Sequence, residues 1–309
     1  MRVAIIGAGM AGLACARRLA DAGLTPVIFD KGRGIGGRLA TRRVDGLQFD
    51  HGAQYVTARS SEFSAVLREL HKAGAAAIWQ DGSDKSHVVG VPGMSGLAHA
   101  LAAGLDIRKQ TPVAAVRATA DAWLVTSGGA THNFDRVVIT VPAPQIAGLL
   151  GQDHPIVAKA AGVRFAPCLT LMAAIIAPPL FLTRSDDTYP LAWVAQDSSK
   201  PGRPQSGVCT LVAQASPEFS LLYLEEDIAS STARMLPLLC DRLGVAAQQV
   251  QYASTHRWRY ARVTAPLGEP FLHTAGSLYA GGDWCIGPRV EAAWFSGDAI
   301  ARDMLARMG

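Results

Sequence analysis

The clearest pattern of apolar positions lies at the start of the chain. Residues 3–6 form a continuous apolar run, which predicts a strand buried on both faces. Residues 11–22 are rich in Ala, Leu and Arg and predict a helix. A second apolar run begins at Thr25 and closes on Asp30, which predicts the next strand. A strand, a glycine-rich turn, a helix and a strand in this order are typical of a nucleotide-binding βαβ unit.

Three glycines join the first predicted strand to the first predicted helix. Gly7 permits the backbone angles of a tight turn, Gly9 lets the main chain approach a pyrophosphate, and Gly12 allows close packing of helix on sheet. The start of the helix, at Ala11, points free N–H groups and a partial positive charge at the phosphates. Asp30 follows Gly12 by 18 residues, near the spacing of an acid that binds the adenosine ribose. These residues predict a dinucleotide site.

The far end of the chain shows a second pattern of the same kind. Residues 278–280 predict a strand, which leads into two glycines and Asp283, and residues 290–308 predict a closing helix. We expect the Asp283 carboxylate to accept a hydrogen bond from the ribityl chain of a cofactor. The N–H groups at the helix start would stabilise negative charge on a flavin ring. A chain whose far end returns to the cofactor is expected for bound FAD rather than for a diffusing NAD. The cofactor-binding residues predicted at this end are Gly282, Asp283, Val290, Glu291 and Ala292.

Two loops of the first half complete the predicted cofactor site. A glycine-dense, basic loop follows Asp30 and contains Lys31, Gly37 and Arg38. We expect this loop to wrap the cofactor, with Arg38 on the pyrophosphate. A later loop brings Gln54 and Tyr55 to the flavin edge, although packing is an equally good explanation for Tyr55.

The middle of the chain predicts a second domain inserted into the first. Strand patterns at 111–117, 123–126 and 136–141 end in a Pro-Ala-Pro segment, and further strand patterns alternate with loops from about residue 151. The loop at 197–204 is polar and rich in Pro and Gly, which predicts an exposed segment. The predicted fold is α/β. It combines a Rossmann-like FAD-binding domain, three-layered with a mostly parallel sheet, and an α+β substrate domain on a mixed or antiparallel sheet. The expected boundaries are 1–56, 92–150 and 264–309 for the FAD-binding domain, and 57–91 and 151–263 for the substrate domain.

Composition narrows the class of protein. The chain has 309 residues, of which 49% are hydrophobic and 17% charged, so it can build a large core and is not disordered. The net charge of +4 comes without a basic block, which argues against nucleic acid as a partner. No apolar stretch is long enough to span a bilayer. The five cysteines show no C-x-x-C spacing, so we expect no disulfide framework, no metal site and a cytoplasmic location.

Several motifs together resemble the FAD-dependent amine oxidase superfamily, and within it the bacterial renalase-like proteins. The superfamily motifs are the glycine turn with Asp30, the Gly36-Gly37-Arg38 loop and the C-terminal Gly-Gly-Asp. Motifs specific to renalase-like proteins lie at 50–55, 91–95, 199–203, 256–262 and 282–294. The resemblance implies non-covalent FAD and oxidation of dihydronicotinamide isomers, 2- or 6-dihydro-NAD(P), to NAD(P)+. Oxygen would then reoxidise the flavin and yield hydrogen peroxide. His51 departs from the family pattern, as do residues 212–219, which leaves substrate preference open.

Aromatic side chains are the candidates for a wall against which a flat dihydropyridine would lie. We expect Trp258, Tyr260 and Trp284 to form it, ahead of Trp193 and Trp294. His256 is a candidate proton-relay group, although a structural role suits it better because a dihydropyridine loses hydride without a base. The nearby arginines at 257, 259 and 262 are candidates for binding the substrate's phosphates.

Three other functions stay open at the level of sequence. An amine oxidase of the same superfamily commonly uses a lysine near the flavin, and the inserted domain offers only Lys159 and Lys200, neither in a convincing setting. A carotenoid-type desaturase would need a long apolar entrance helix, which the sequence lacks. The third alternative is a non-catalytic flavin-binding protein. The oligomeric state is not predicted.

Overall fold

Helices and short strands alternate along the chain, as the apolar runs predict. A computed structural model describes residues 1–83, 86–176, 178–205, 207–274 and 277–308. The helices in these residues are α1 (Met10–Asp21), α2 (Ser61–Lys72), α3 (Ser95–Leu101), α4 (Ile146–Leu150), α5 (Pro155–Ala160), α6 (Pro217–Leu222), α7 (Ile228–Leu243) and α8 (Val290–Ala306). The strands are β1 (Val3–Ile6), β2 (Val27–Phe29), β3 (Thr41–Val44), β4 (Leu47–Asp50), β5 (Ala76–Gln80), β6 (Ser86–Gly90), β7 (Asp106–Arg108), β8 (Val113–Ala118), β9 (Trp123–Ser127), β10 (Ala130–Phe134), β11 (Arg136–Ile139), β12 (Arg164–Ile175), β13 (Thr183–Ser185), β14 (Trp193–Gln196), β15 (Cys209–Gln214), β16 (Val250–Ala265), β17 (Leu272–Thr274) and β18 (Leu278–Ala280).

A six-stranded sheet forms the centre of the first domain, in the order β17-β18-β11-β1-β2-β7. Its strands pair in parallel except for β17, which runs antiparallel to β18 at the edge. The continuous apolar run at residues 3–6 is explained by burial on both faces. Val3 and Ile5 pack in the cluster that contains α1 and α8, whereas Ala4 and Ile6 pack with the antiparallel sheet β10-β9-β8. The predicted three-layer Rossmann-like domain is therefore confirmed.

The second domain is built on a five-stranded sheet in the order β13-β14-β15-β12-β16, in which every pairing is antiparallel. One face carries Leu169, Leu171 and Ala213, which pack against α7 through Met235 and Leu239. The opposite face carries Met172 and Val212, which pack against Phe49 of β4. The second face therefore looks toward the first domain.

Helix α2 lies within the segment 57–91, which is expected to belong to the substrate domain, but the helix packs its apolar face on the first domain. Phe63, Leu67 and Leu70 of α2 belong to the same buried cluster as α1 and α8, and the Phe63 ring lies 5.4 Å from that of Trp294. The apolar face of α2 is therefore covered by the FAD-binding domain.

In the described residues, no helix is both long and apolar enough to cross a membrane.

Candidate cofactor and active site

The glycine turn after β1 has the geometry that its spacing predicts. Gly7 adopts a φ of +109°, and a Cβ on Gly12 would lie 2.0 Å from the Gly7 carbonyl oxygen. Only glycine fits at either position, which lets α1 start directly against the turn. Nothing lies within 4 Å of where a Cβ on Gly9 would be, so the main chain at the start of α1 is open to a ligand.

Asp30 lies at the end of β2, beside this turn. One carboxylate oxygen accepts a hydrogen bond from the Ala8 N–H and the other from the Gly32 N–H, both at 2.6 Å. The carboxylate thus holds the turn and the following loop in place and keeps lone pairs for further donors. Its contact with the ribose stays a prediction. Lys31 is exposed, with its Nζ 3.4 Å from Oε1 of Gln145.

Arg38 joins the two ends of the chain. Its guanidinium donates two parallel hydrogen bonds to the Asp283 carboxylate, at 2.7 and 2.6 Å, across 245 positions of sequence. A third bond goes to the carbonyl of Ala261 on β16, at 3.0 Å. Gly37, with a φ of +55°, places its Cβ position 3.5 Å from the Gly9 Cα. Two residues that the sequence assigns to the cofactor from opposite ends of the chain therefore meet as a bidentate ion pair.

Helices α1 and α8 begin without a capping side chain. By contrast, the Ser60 and Asp227 side chains cap the other two long helices, α2 and α7. The first N–H groups of α1 and α8 are therefore left for another acceptor. The Glu291 carboxylate does not cap α8, because it accepts hydrogen bonds from the Arg59 and Ser60 N–H groups at 3.0 and 2.7 Å. The contact of Glu291 with the cofactor stays a prediction.

The starts of α1 and α8 belong to one structural unit. A Cβ on Gly297 would lie 1.9 Å from the Ala11 carbonyl oxygen, so the two helices approach each other closely. The Gly282 N–H donates to the Ser296 hydroxyl at 2.9 Å, which ties the turn after β18 to α8. Uncapped N–H groups at two helix starts and an open Gly9 suit a cofactor that carries a pyrophosphate. The described residues thus fit FAD. The contact of Arg38 with the pyrophosphate stays a prediction, because its guanidinium is paired with Asp283.

A buried cluster of four charged side chains lies beside Gln54, and we call Asp50, Asp197, Lys200 and Arg203 the ion cluster. The side chains of all four are at most 1% exposed. The Lys200 Nζ lies 2.6 Å from Asp197 and 3.6 Å from Asp50, and Arg203 hydrogen bonds to Asp50. Burial alone would raise the pKa of Asp50, but the charges of Lys200 and Arg203 outweigh it, and that pKa lies below its ordinary value. The prediction of an exposed loop at 197–204 is therefore wrong for its charged residues.

The ion cluster also holds the loop that follows β4. Lys200 donates to Oε1 of Gln54 at 3.2 Å, while Nε2 of Gln54 donates to the carbonyls of Asp50 and Gly52. Gln54 is buried, so its predicted contact with the flavin is limited to a small edge. Tyr55 is half-buried and stacks on His87 with ring centroids 3.7 Å apart. The flavin contacts of Gln54 and Tyr55 stay predictions.

A row of polar and aromatic side chains crosses the face of the substrate sheet that looks toward this loop. The strand register places Trp193, Gln214, Thr170 and His256 side by side on four adjacent strands. Paired residues of neighbouring strands share a face of the sheet, so the four side chains line one surface. Nε2 of Gln214 donates to the carbonyl of Gly52 at 2.8 Å, which places the loop directly over the row.

His51 and His256 meet at the end of this row. Burial, the neighbouring His256 and the charge of Arg42 lower the pKa of His51 to about 4. Burial and Arg42 also lower the pKa of His256 to about 4. Both imidazoles are therefore neutral at neutral pH. Trp258 shares this corner, and its indole N–H donates to the carbonyl of His51 at 2.7 Å.

The structure separates the four predicted catalytic residues. Trp258 and His256 lie together against the loop, and Tyr260 lies farther along β16 with its ring 5.6 Å from that of Phe165. Trp284 is 1% exposed, packs in the core of the FAD-binding domain and donates its indole N–H to Val141 at 3.1 Å. It presents no surface to a substrate, so the catalytic role predicted for it is wrong.

Two of the three candidate phosphate-binding arginines point away from the row. Arg257 alternates with His256 and Trp258 along β16, and its guanidinium donates to the carbonyls of Leu224 and Glu226. Arg259 forms an exposed ion pair with Glu225 at 2.6 Å. The expectation that these two hold the substrate's phosphates is therefore wrong, whereas the role of Arg262 stays a prediction.

The ion cluster and the Asp81–His87 pair have no functional role among the predictions from sequence. The spacing of Asp197, Lys200 and Arg203, every third residue, is a signal that could have found three of the four residues of the ion cluster. His87 lies 3.2 Å from Asp81, and both are buried. Cys285, beside the flavin motif, is an inert thiol, because burial raises its pKa to about 12.

Comparison with known proteins extends these observations. A family model for an NAD(P)-binding Rossmann-like domain matches residues 5–70, and the model for flavin containing amine oxidoreductases matches residues 71–305. The chain is 26% identical to renalase of Mus musculus over 321 residues, which covers 91% of this chain and 92% of that protein.

Solved structures share the fold. A protein of Exiguobacterium sp. 255-15, provisionally named a protoporphyrinogen oxidase, superposes with a TM-score of 0.82 at 14% identity over 99% of both chains. Wild-type putrescine oxidase bound to putrescine superposes with a TM-score of 0.72 at 16% identity, covering 99% of this chain and 100% of that one. At these identities the likeness establishes the fold alone.

Fold and site together define an FAD-dependent oxidoreductase with a Rossmann-like domain and an antiparallel substrate sheet. Because its family model covers residues 71–305, the chain belongs to the flavin containing amine oxidoreductase family. Its similarity to renalase along nearly the whole chain confirms the renalase-like resemblance. FAD is the cofactor.

Proposed function

We propose that the chain oxidises dihydronicotinamide dinucleotides, the 2- and 6-dihydro isomers of NAD(P), to NAD(P)+. One hydride leaves the substrate ring for FAD. O2 then takes up the two electrons and the hydrogen of that hydride, together with one proton from solvent, to give hydrogen peroxide. The overlap with renalase over most of both chains supports this substrate class, which the sequence resemblance implies.

The similarity to renalase along nearly the whole chain carries the proposal, and the protonation states of the site support it. His51 and His256, the two imidazoles at the substrate face, have pKa values of about 4, and Lys200 is held in the ion cluster. Neither imidazole is matched to proton removal near neutral pH. A dihydropyridine suits this face because it gives up a hydride without losing a proton to a base.

Each element of the site has a role in the proposed reaction. The uncapped N–H groups of α8 would stabilise the negative charge that arrives with the hydride. Trp258, which stacks with one face on His51, would offer its other face to a flat ring, and Lys200 and Gln54 hold the loop beside it. Bound FAD supplies the electron acceptor.

The positions of the two lysines of the inserted domain weigh against an amine oxidase. Lys159 lies exposed on α5, and Lys200 is bonded to Asp197 and Gln54. Neither lysine of the inserted domain is therefore free to act beside a flavin. Amine oxidation is nevertheless an explicit outcome of the test.

The test is anaerobic mixing of the purified yellow protein with 6-dihydro-NAD, 2-dihydro-NAD, NADH or putrescine, followed by flavin absorbance. We expect the first two to bleach the flavin within seconds, and oxygen then to restore the colour with one hydrogen peroxide per substrate. Bleaching by putrescine alone would establish an amine oxidase. Inertness toward all four compounds would indicate a non-catalytic flavin-binding protein.

A further inference from the structure

Three rings meet where the segment after β4 crosses β16, and we call His51, His256 and Trp258 the ring cluster. The rings of His51 and Trp258 are nearly parallel, with an interplanar angle of 23° and centroids 5.4 Å apart. The His256 ring stands edge-on to both, 4.7 Å from His51 and 4.4 Å from Trp258. The bond from the indole N–H of Trp258 to the His51 carbonyl fixes the cluster to the backbone.

The ring cluster carries a polar atom that the surrounding protein does not satisfy. His51 is 6% exposed, and its Nδ1 is buried without a partner in hydrogen-bonding geometry among the described residues. The backbone of Phe49 interacts with the His51 ring and raises the pKa of His51, but this effect is smaller than that of burial. Buried polar atoms are nearly always paired, so one without a well-formed hydrogen bond needs a physical reason, such as a water molecule or a role in binding. An apolar side chain would fill the same position without this cost.

The cluster lies between the predicted flavin contacts and the cofactor ion pair. Ala261, whose carbonyl accepts a bond from Arg38, is three residues from Trp258, or roughly 10 Å along an extended strand. Gly52 and Gln54 follow His51 directly in the loop over the substrate face. A substrate ring on this face would therefore bring its substituent close to the ring cluster.

The chemistry of two neutral imidazoles selects the kind of substituent. Each neutral ring offers one N–H donor and one nitrogen acceptor. A carboxamide needs both, because its oxygen accepts and its NH2 group donates. An ammonium group needs acceptors alone, a carboxylate needs donors alone, and a polyene needs neither. Because the pKa of both histidines is low, both rings are neutral at neutral pH, and each can donate one hydrogen bond and accept another.

We propose that the ring cluster binds the carboxamide of the substrate's nicotinamide ring, with His51 and His256 as its specificity-determining residues. This inference rests on the proposed function and adds to it the group by which the substrate is recognised. It also gives a physical role to His51, which departs from the pattern of the renalase-like proteins.

The test compares three oxidised dinucleotides that differ only at the ring substituent. These are NAD+ with a carboxamide, 3-acetylpyridine adenine dinucleotide with a methyl ketone, and nicotinic acid adenine dinucleotide with a carboxylate. Dissociation constants are measured on the FAD-loaded protein by flavin difference absorbance and by calorimetry, neither of which requires turnover. We expect the protein to bind NAD+ about tenfold or more tightly than either analogue, because the analogues cannot donate to the imidazole acceptor.

Variants assign that preference to the cluster. His51→Leu and His256→Phe, which retain bulk and packing, should each lower the preference for NAD+ to about threefold or less. His99→Leu, on the exposed surface of α3, is the matched control and should keep the preference. Melting temperature and flavin content confirm that each variant is folded, and either cluster variant alone suffices for the test.

The outcomes separate this inference from the proposed function. Equal affinity of the unchanged protein for all three dinucleotides, with rapid bleaching by 6-dihydro-NAD, would overturn the inference and leave the proposed function standing. The same holds if both cluster variants keep the full preference. If no dinucleotide binds and no dihydro isomer bleaches the flavin, the proposed function fails and the inference fails with it.

Discussion

The contact between α1 and α8 gives the sharpest prediction, and Gly297→Ala is the change that probes it. The added methyl group would lie 1.9 Å from the Ala11 carbonyl oxygen, 2.7 Å from its carbonyl carbon and 3.0 Å from its Cα. All three atoms belong to the backbone, so no side chain can rotate to make room. The two helices must separate, and the starts of both are the predicted cofactor site.

The expected change in the free energy of unfolding is the steric cost of the added methyl group minus the entropic gain from replacing glycine. Carbon and oxygen atoms rarely approach closer than about 3.3 Å, so relief of the clash requires a shift of more than about 1 Å. Overpacking of this kind costs about 1–3 kcal/mol. The loss of backbone freedom in the unfolded chain that comes with alanine returns about 0.5–1 kcal/mol. We expect a net loss of about 1–2 kcal/mol, or roughly 2–3 °C in melting temperature for a chain of 309 residues.

The assay measures melting temperature and the ratio of flavin to protein absorbance after purification. Gly148→Ala is the matched control, because Gly148 is also helical but has nothing within 4 Å of its Cβ position. It should leave the flavin content unchanged and the melting temperature equal or slightly raised. If Gly297→Ala matched this control in both measurements, close helix approach would not be what arranges the cofactor site.

Four further predictions concern other residues of the two domains. Asp30→Ala should lower FAD affinity about tenfold or more in a fluorescence titration, because two backbone N–H groups of the glycine turn and its following loop lose their acceptor. Unchanged flavin occupancy would refute the predicted role of Asp30. Lys200→Met should destabilise the fold by about 3–5 kcal/mol in urea, because buried carboxylates lose their partner, whereas Lys159→Met on the surface should have no effect. Trp284→Phe should lower melting temperature and leave NAD+ affinity unchanged, as expected of a core residue. Burial opposes ionisation of Glu291, but hydrogen bonds from two backbone N–H groups outweigh it and lower its pKa. The ionised carboxylate therefore stabilises the fold fully above its ordinary pKa, and this contribution is lost as the pH falls through the lowered value. The melting temperatures of Glu291→Gln and the unchanged protein should converge in acid.

The parts of the molecule that sequence predicts well are those whose cause is local. The turn at Gly7 and Gly12 depends on neighbouring residues, and the burial of residues 3–6 is recorded in their uninterrupted apolarity. The approach of the C-terminal segment to the glycine turn was predictable because the same order of strand and glycine turn recurs before Asp283. In each case the residue in question and the neighbours that determine its conformation lie within one short segment.

The errors concern side chains whose neighbours are distant in sequence. Trp284 and Trp258 are both tryptophans beside a charged motif, and only the tertiary fold decides that one is core and the other faces the loop. Arg257 is a candidate for the substrate's phosphates by sequence, but its partners come from the segment before α7, which lies on the other face of the sheet. The α2 helix is amphipathic in either domain, so periodicity alone could not say which core covers it.

The ion cluster shows why such long-range features matter for function. Asp50 and Asp197 are 147 positions apart, and they come from the β4 segment and the loop after β14. Desolvation of four charges offsets most of their mutual attraction, so a cluster of this kind contributes little net stability. Loss of any one partner is costly, however, so the cluster penalises every arrangement that separates the two segments. Since Lys200 also holds Gln54, the same penalty fixes the loop that covers the substrate face. The charges therefore act mainly on the geometry of the site, and their removal should disturb flavin binding in proportion to the movement of that loop.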